Sequence, residues 1–246
     1  EPKDMPELEQ WVLHRLSELD ERVRKGYSEY DFQGVFQSVF TFATVELSSF
    51  YFDIRKDVLY CDGDTLERRS ARSVLEHIFL RLTAWLAPVL VFTMEEVWLE
   101  RYPGDESSIH LTDMPSTPKT WINEELALKW AVIRQARRVV TAALEVQRTD
   151  KVIGSSLEAS PVVYLEDQET FDILDSIPFT DICITSSVKL SLDKAPKAAF
   201  STEEVKGIGV DFQVASGEKC QRCWKILPEV TAANPICGRC NEALKG

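Results

Sequence analysis

The sequence predicts a mainly α-helical protein: a helix bundle over residues 1–150, a small α/β junction module over 151–216 and a four-cysteine knuckle over 217–246. Three observations predict it. Apolar residues recur at spacings of three and four through most of the first 148 residues, which draws stripes along helices. The pattern changes after Lys151, where short apolar runs bounded by turn residues read as strands. The final stretch carries Cys220-Gln-Arg-Cys223 and Cys237-Gly-Arg-Cys240, two Cys-x-x-Cys pairs thirteen residues apart.

Pro6 suits the first turn of a helix, where its missing N–H costs nothing. Val12, Leu16, Leu19 and Val23 then form one stripe, and Gly26 reads as its stop. The longest stripe runs from about Asp31 to Tyr60 through Phe36, Phe40, Ala43, Leu47, Phe50, Ile54 and Val58. Val35, Val39, Phe42 and Tyr51 widen it, which places this helix centrally in the bundle. Asp62-Gly63-Asp64 ends the run, and a new start is expected near Thr65. Leu75, Ile78, Phe79, Leu82, Trp85, Leu86 and Val89 mark the third helix. Pro88 should kink or divide it, because proline removes a hydrogen bond and clashes with the preceding turn. Helical sequence resumes from Val91 to Leu99, Pro103-Gly104 breaks it, and residues 108–111 read as an extended link. The last long helix covers about 123–147, with Leu126, Trp130, Ile133, Val140 and Leu144 inward.

In the junction module, residues 153–157 read as a turn and 161–165 as a strand. A short helix within 166–177 precedes a strand at 182–185, and two further extended pieces lie near 188–192 and 210–214.

A chain of 246 residues with 44% hydrophobic content has room for a real core, which excludes wholesale disorder. Nothing resembles a secretion signal or a membrane span, so no membrane partner is expected. Cys61 and Cys183 stand alone, which argues against a disulfide framework and for a reducing cytoplasm. The opening Glu1-Pro2-Lys3-Asp4 lacks an initiator methionine and reads as the edge of a piece cut from something longer. Net charge is -12, with 18 Lys/Arg against 26 Asp/Glu in residues 1–150 and 10 against 14 in the remainder. Such a balance counts against indiscriminate nucleic-acid binding, so any RNA contact must come from a local patch. His14, His77 and His110 are scattered, and the sequence holds no glycine-rich phosphate loop or nucleophile elbow. No catalytic residue is expected.

Cys220, Cys223, Cys237 and Cys240 can supply four thiolates to a tetrahedral ion at roughly 2.3 Å from each sulfur. Gly238 gives the second knuckle conformational freedom. Disulfides or simple core filling explain the cysteines poorly, because the tail has too few apolar side chains to form a core of its own. All-sulfur ligation favours zinc or iron, and nothing nearby suggests redox chemistry, so one structural zinc is expected. Four thiolates leave no open position for water or substrate, so such an ion holds a shape. Arg222, Trp224, Lys225 and Arg239 are interleaved with the ligands. Two readings stand side by side: cations and an exposed aromatic that hold phosphates and stack a base, or an indole packed on the metal loop among solubilising charges.

The chain resembles the C-terminal portion of bacterial isoleucyl-tRNA synthetases, class I aminoacyl-tRNA synthetases. The resemblance rests on Leu47-Ser-Ser-Phe-Tyr-Phe-Asp-Ile-Arg-Lys-Asp-Val-Leu-Tyr60, on Trp85-Leu-Ala-Pro88 and on Phe92-Thr-Met-Glu-Glu-Val-Trp98. It continues through Lys151-Val-Ile-Gly-Ser-Ser-Leu-Glu-Ala159 to the paired cysteines and Trp224. The Trp-Leu-Ala-Pro region is shared with the valine, leucine and methionine enzymes. The Ile-Gly-Ser-Ser-Leu-Glu-Ala segment joined to the cysteine tail is more specific to the isoleucine enzyme. The resemblance implies a class I anticodon-binding helix bundle followed by a zinc tail that engages the anticodon end of the isoleucine tRNA. It implies RNA contacts at Arg222, Trp224, Lys225 and Arg239, and further ones on the helices at Arg55, Lys56, Arg134, Arg137 and Arg138. The His-Ile-Gly-His and Lys-Met-Ser-Lys-Ser signatures that hold ATP in this family do not occur here. ATP and catalysis are therefore expected to belong to a catalytic domain outside this sequence, with that domain and an editing domain as partners, in a monomer. Two other readings compete: a free-standing RNA-binding accessory derived from a synthetase, and a structural or protein-interaction zinc domain.

Overall fold

The structure, a computed structural model, describes residues 2–245. It falls into two compact units, Glu1–Arg55 with Thr65–Glu124, and Lys56–Asp64 with Glu125–Gly246. The stretch predicted as one bundle over residues 1–150 is therefore shared between them.

In the first unit, α1 (Glu7–Ser28) starts directly after Pro6 and buries Leu8, Trp11, Val12, Leu16, Leu19 and Val23 along one face. Helix α2 (Phe32–Thr41) is capped by Asp31, whose carboxylate accepts the Gly34 N–H at 2.9 Å. Gly26 does not stop α1, which continues to Ser28. A Cβ there would stand 2.5 Å from Val35 Cγ2, so the glycine serves the close approach of α1 and α2.

The helix expected over 31–60 is continuous, but Phe42–Phe52 is wound as a π-helix between α2 and α3 (Asp53–Cys61). Hydroxyls compete for backbone carbonyls inside it: Thr44 Oγ1 donates to Phe40 O at 2.8 Å, and Ser49 Oγ to Val45 O at 2.9 Å. The wider turn rotates the apolar face away from the line that a 3.6-residue period extrapolates. Phe42, Leu47, Phe50, Tyr51 and Ile54 are buried, whereas Phe40, expected inward, is 63% exposed.

Helix α4 (Leu66–Leu86) begins where expected, with the Thr65 hydroxyl accepting the Arg68 N–H at 3.2 Å. Its Trp85 is fully buried and donates from Nε1 to Asp20 Oδ1 at 3.2 Å, which satisfies the indole inside the core. Pro88 divides the pattern, and α5 (Val91–Arg101) follows. The extended link expected at 108–111 is instead a 3₁₀ turn over Ile109–Leu111. Ser108 caps it, and Ile109 is pulled into the interior.

In the second unit, α6 (Glu124–Thr149) buries Leu126, Trp130, Ile133, Ala136, Val139, Val140, Ala143 and Leu144. A three-stranded sheet follows, with β1 (Val162–Leu165) between β2 (Lys189–Ser191, parallel) and β3 (Ile208–Asp211, antiparallel). Val163 registers with Leu190 on one side and Val210 on the other. Two helices connect β1 to β2, α7 (Gln168–Asp175) and α8 (Phe179–Cys183). The strand expected at 182–185 is thus incorrect. The segment turns helically from Pro178, and Ile184 ends it in the left-handed region at φ 56. The strand expected at 210–214 lies earlier, at 208–211. Strands β4 (Glu218–Lys219) and β5 (Ile226–Leu227) pair across the first knuckle, and α9 (Gly238–Ala243) carries the second. Among the described residues, no helix is long and apolar enough to cross a membrane.

Candidate metal centre and nucleic-acid interface

The β4–β5 hairpin folds Cys220 and Cys223 into a tight turn: Cys220 N–H donates to Lys225 O at 2.9 Å, and Trp224 N–H to Cys220 O at 3.0 Å. Cys237 sits immediately before α9 and Cys240 in its first turn. All four sulfurs lie within 4.8 Å of one another, and all four residues are buried. Cys223 Sγ and Cys237 Sγ are 3.8 Å apart. Sulfurs bonded at roughly 2.3 Å to one tetrahedral ion would stand about 3.8 Å from each other, so the cluster has the dimensions of a four-thiolate site.

Its electrostatics agree. Burial disfavours the Cys220 thiolate, but N–H donors from Cys223, Cys237 and Arg222 outweigh it and bring the group down to about 6. The Cys237 N–H lies 3.3 Å from that sulfur. Cys223 is pushed up to about 12 by burial, and its neighbours Cys237 and Cys240 add to the shift. Four packed thiols cannot all ionise without a compensating charge, which a divalent cation supplies. The arrangement can hold a metal ion.

Trp224 is 61% exposed beside this centre and holds φ at 67. A bulky side chain in the left-handed region costs on the order of 1–3 kcal/mol. Lys219 Nζ stands over the indole at 5.5 Å from the ring centroid. Lys219 was missed by sequence reasoning; only the β4–β5 pairing brings it to Trp224, and no local motif announces that.

The other expected RNA residues are placed differently. Arg55 is buried at 6% exposure and paired with Glu9, so it is withdrawn as a contact. Arg137 Nε donates to Ile182 O at 2.8 Å. Lys225 Nζ is 2.6 Å from Asp181 Oδ1 and mostly covered. Arg222 donates to the carbonyls of Cys61 and Tyr60, and Arg239 to both oxygens of Asp57. Lys56 is exposed and Arg134 half-buried. Arg138 is exposed, with Glu204 at 3.5 Å. The expected patch of three cations around Trp224 is therefore an indole with Lys219, because the knuckle's own cations bind other parts of the unit.

The family of anticodon-binding domains of tRNA ligases matches residues 9–163. The chain is 63% identical to the isoleucine–tRNA ligase of Ruegeria pomeroyi over 246 residues, 99% of this chain and 25% of that protein. It is 51% identical to the isoleucine–tRNA ligase of Brucella abortus over 93% of the chain, and 50% identical to that of Agrobacterium fabrum over 92%. In both, the match covers 24% of the relative, so the chain spans about a quarter of the length of the curated relatives it matches. With this identity along its whole length and the anticodon-binding domain over residues 9–163, the chain belongs to the isoleucine–tRNA ligase family.

Proposed function

We propose that this chain recognises the anticodon end of the isoleucine tRNA, as the C-terminal part of a cytoplasmic, monomeric ligase that joins isoleucine to that tRNA using ATP. In this reading residues 1–150 form the anticodon-binding region, 151–216 the junction and 217–246 a zinc-binding domain. ATP and isoleucine are handled by a catalytic domain whose signatures this sequence does not contain. Cys220, Cys223, Cys237 and Cys240 hold one zinc ion, which, with its coordination full, fixes the shape of the knuckle.

The observation that carries the reading is Trp224. A large apolar side chain is kept in a backbone conformation that favours glycine, exposed to solvent, under a lysine. Strain of this kind is retained where the side chain has a task outside the fold, and an exposed indole with a cation above it suits base stacking. Lys56, Arg134 and Arg138 remain the helical candidates for phosphate contacts, with Lys219 added at the knuckle.

The test is a titration of isoleucine tRNA, and of an anticodon-altered control, against the wild-type chain, Trp224→Ala and Trp224→Gly at several salt concentrations. Each substitution should weaken binding by about 1–3 kcal/mol. The glycine variant should keep or gain thermal stability, because it relieves the backbone. Unchanged affinity in both variants, with the fold and metal intact, would assign Trp224 to structure alone. The chain should also be inert in isoleucine-dependent ATP–pyrophosphate exchange.

A further inference from the structure

Each knuckle carries an arginine at the same place, immediately before its second cysteine: Arg222 before Cys223 and Arg239 before Cys240. Both guanidinium groups reach one target, the C-terminal end of α3 and the residues just after it. Arg222 Nη1 donates to Cys61 O, and its Nη2 lies 3.5 Å from Tyr60 O. The Cys61 thiol returns a contact to Arg222 O at 3.8 Å. Arg239 forks onto Asp57, with Nη2 at 2.8 Å from Oδ1 and Nη1 on Oδ2, and Nη1 also stands 3.3 Å from Asp62 Oδ1. Cys61 is buried in one cluster with the four cysteines. The chemistry suits the place, since the last carbonyls of a helix lack partners and carry partial negative charge.

We propose that Arg222 and Arg239 are positioning residues: together they fix the four-cysteine knuckle on the C-terminal end of α3 and set the direction in which Trp224 is presented. Neither guanidinium needs to touch RNA. A metal with four thiolates shapes the two turns but says nothing of how they face the rest of the unit; the two arginines supply that. Lys225 on Asp181 and the Ile226 N–H on Ser186 Oγ at 2.7 Å tie the other side of the hairpin to the α/β module. The inference deepens the tRNA-binding reading and rests on it for its consequence, not for its geometry.

Asp57→Asn separates the two roles that an arginine here could have. It removes an anion, so if Arg239 bound a phosphate the variant should bind tRNA as well as wild type or better. If Arg239 positions the knuckle, Asp57→Asn should weaken binding about fivefold, as Arg239→Gln does, with the salt slope unchanged in both. The exchanged pair, Arg239→Asp with Asp57→Arg, should recover most of the loss. Arg222→Lys keeps the charge but loses the fork that spans two carbonyls, and it should also weaken binding at unchanged slope. Hydrogen exchange of the amides in residues 220–240 gives a readout without RNA: faster in each single variant, restored in the exchanged pair, with metal content constant. Wild-type affinity in Asp57→Asn, with a salt slope reduced by about one in Arg239→Gln, would overturn the proposal. So would unaltered exchange in the single variants. If the wild-type chain binds no tRNA while exchange responds as stated, the attachment stands and the tRNA reading fails. If Asp57→Asn does not fold, the Arg222→Lys exchange profile decides.

Discussion

Arg55 donates to Glu9 through Nε at 2.6 Å and Nη2 at 2.5 Å, and Tyr51 OH donates to the same carboxylate at 3.1 Å. Glu9 is fully buried, and Arg55 nearly so. Burial, the Glu9 charge and this hydrogen bond hold the Tyr51 hydroxyl well above its ordinary range, so it stays a donor. Breaking such a pair leaves a buried charge without its counter-ion, with only the Tyr51 hydroxyl to satisfy it. Arg55→Met should therefore cost about 3–5 kcal/mol in urea unfolding, whereas Glu9→Leu with Arg55→Met should recover most of it. An Arg55→Met chain as stable as wild type would mean that water reaches Glu9.

The metal site gives a second prediction. Cys223→Ser and Cys237→Ser should each reduce zinc content from one per chain to none and loosen residues 218–245, because metal binding and folding are coupled in small thiolate sites. Helices α1, α2, α4 and α5 bury their own apolar faces, so most of the far-ultraviolet helical signal should survive. Elemental analysis together with circular dichroism checks both halves. Wild-type protein purified without chelator and found free of zinc would remove the zinc assignment.

A third prediction concerns pH. His77 is half-buried, its ring 4.8 Å from that of Trp121, with the Arg81 guanidinium 4.4 Å from the same indole. Burial and then the Arg81 charge lower its pKa from 6.5, against a smaller opposing effect of Glu76. Below about pH 6.5 the unfolded chain takes a proton at His77 that the folded chain still refuses. The unfolded state then binds more protons, so stability rises with pH across this window and is lost as the pH is lowered through it. It levels once the folded His77 is protonated too. His77→Gln should remove that component. The difference in urea midpoint between the two chains, measured from pH 7.5 to 5, isolates it from thiolate protonation at the knuckle.

What could be read from the sequence was local. Pro6, Thr65 and Pro88 act on their own turns, and each marks a helix boundary where expected. The four cysteines were legible because two Cys-x-x-Cys turns define a donor set by spacing alone. What could not be read was set at a distance. Arg222 and Arg239 look like surface cations beside a metal, and their partners lie 161 and 182 residues earlier. Arg55 looks like a basic helix residue until Glu9, 46 positions away, is brought to it. Phe40 and the segment at 182–185 fail for another reason. In one case a fixed 3.6-residue period does not carry through a π-helical stretch. In the other, a short apolar run has the pattern of a strand but forms the end of the helix that starts after Pro178.

Gly26 tests how firmly packing outweighs propensity. In an exposed helix, Gly→Ala gains about 0.8–1.0 kcal/mol. Here Gly26 is buried, and a Cβ would meet Val35 Cγ2 at 2.5 Å and the Asp31 carbonyl oxygen at 3.4 Å. Asp31 N–H also donates to Gly26 O at 2.8 Å, which holds the start of α2 against this turn of α1. The short, branched valine cannot swing its methyl aside as a long flexible chain could, so the two helices must part. Overpacking of this kind costs about 1–3 kcal/mol, and Gly26→Ala should be destabilising on balance despite the better helix former. Val35→Ala alone opens a cavity and is also destabilising. The pair should lose less than the sum of the two singles, because the new methyl occupies the space that valine vacates. Urea midpoints for the four chains measure that coupling directly. Additive losses would mean that α1 and α2 separate without regard to Val35, and a gain in Gly26→Ala alone would mean that the approach of the two helices is looser than 2.5 Å implies.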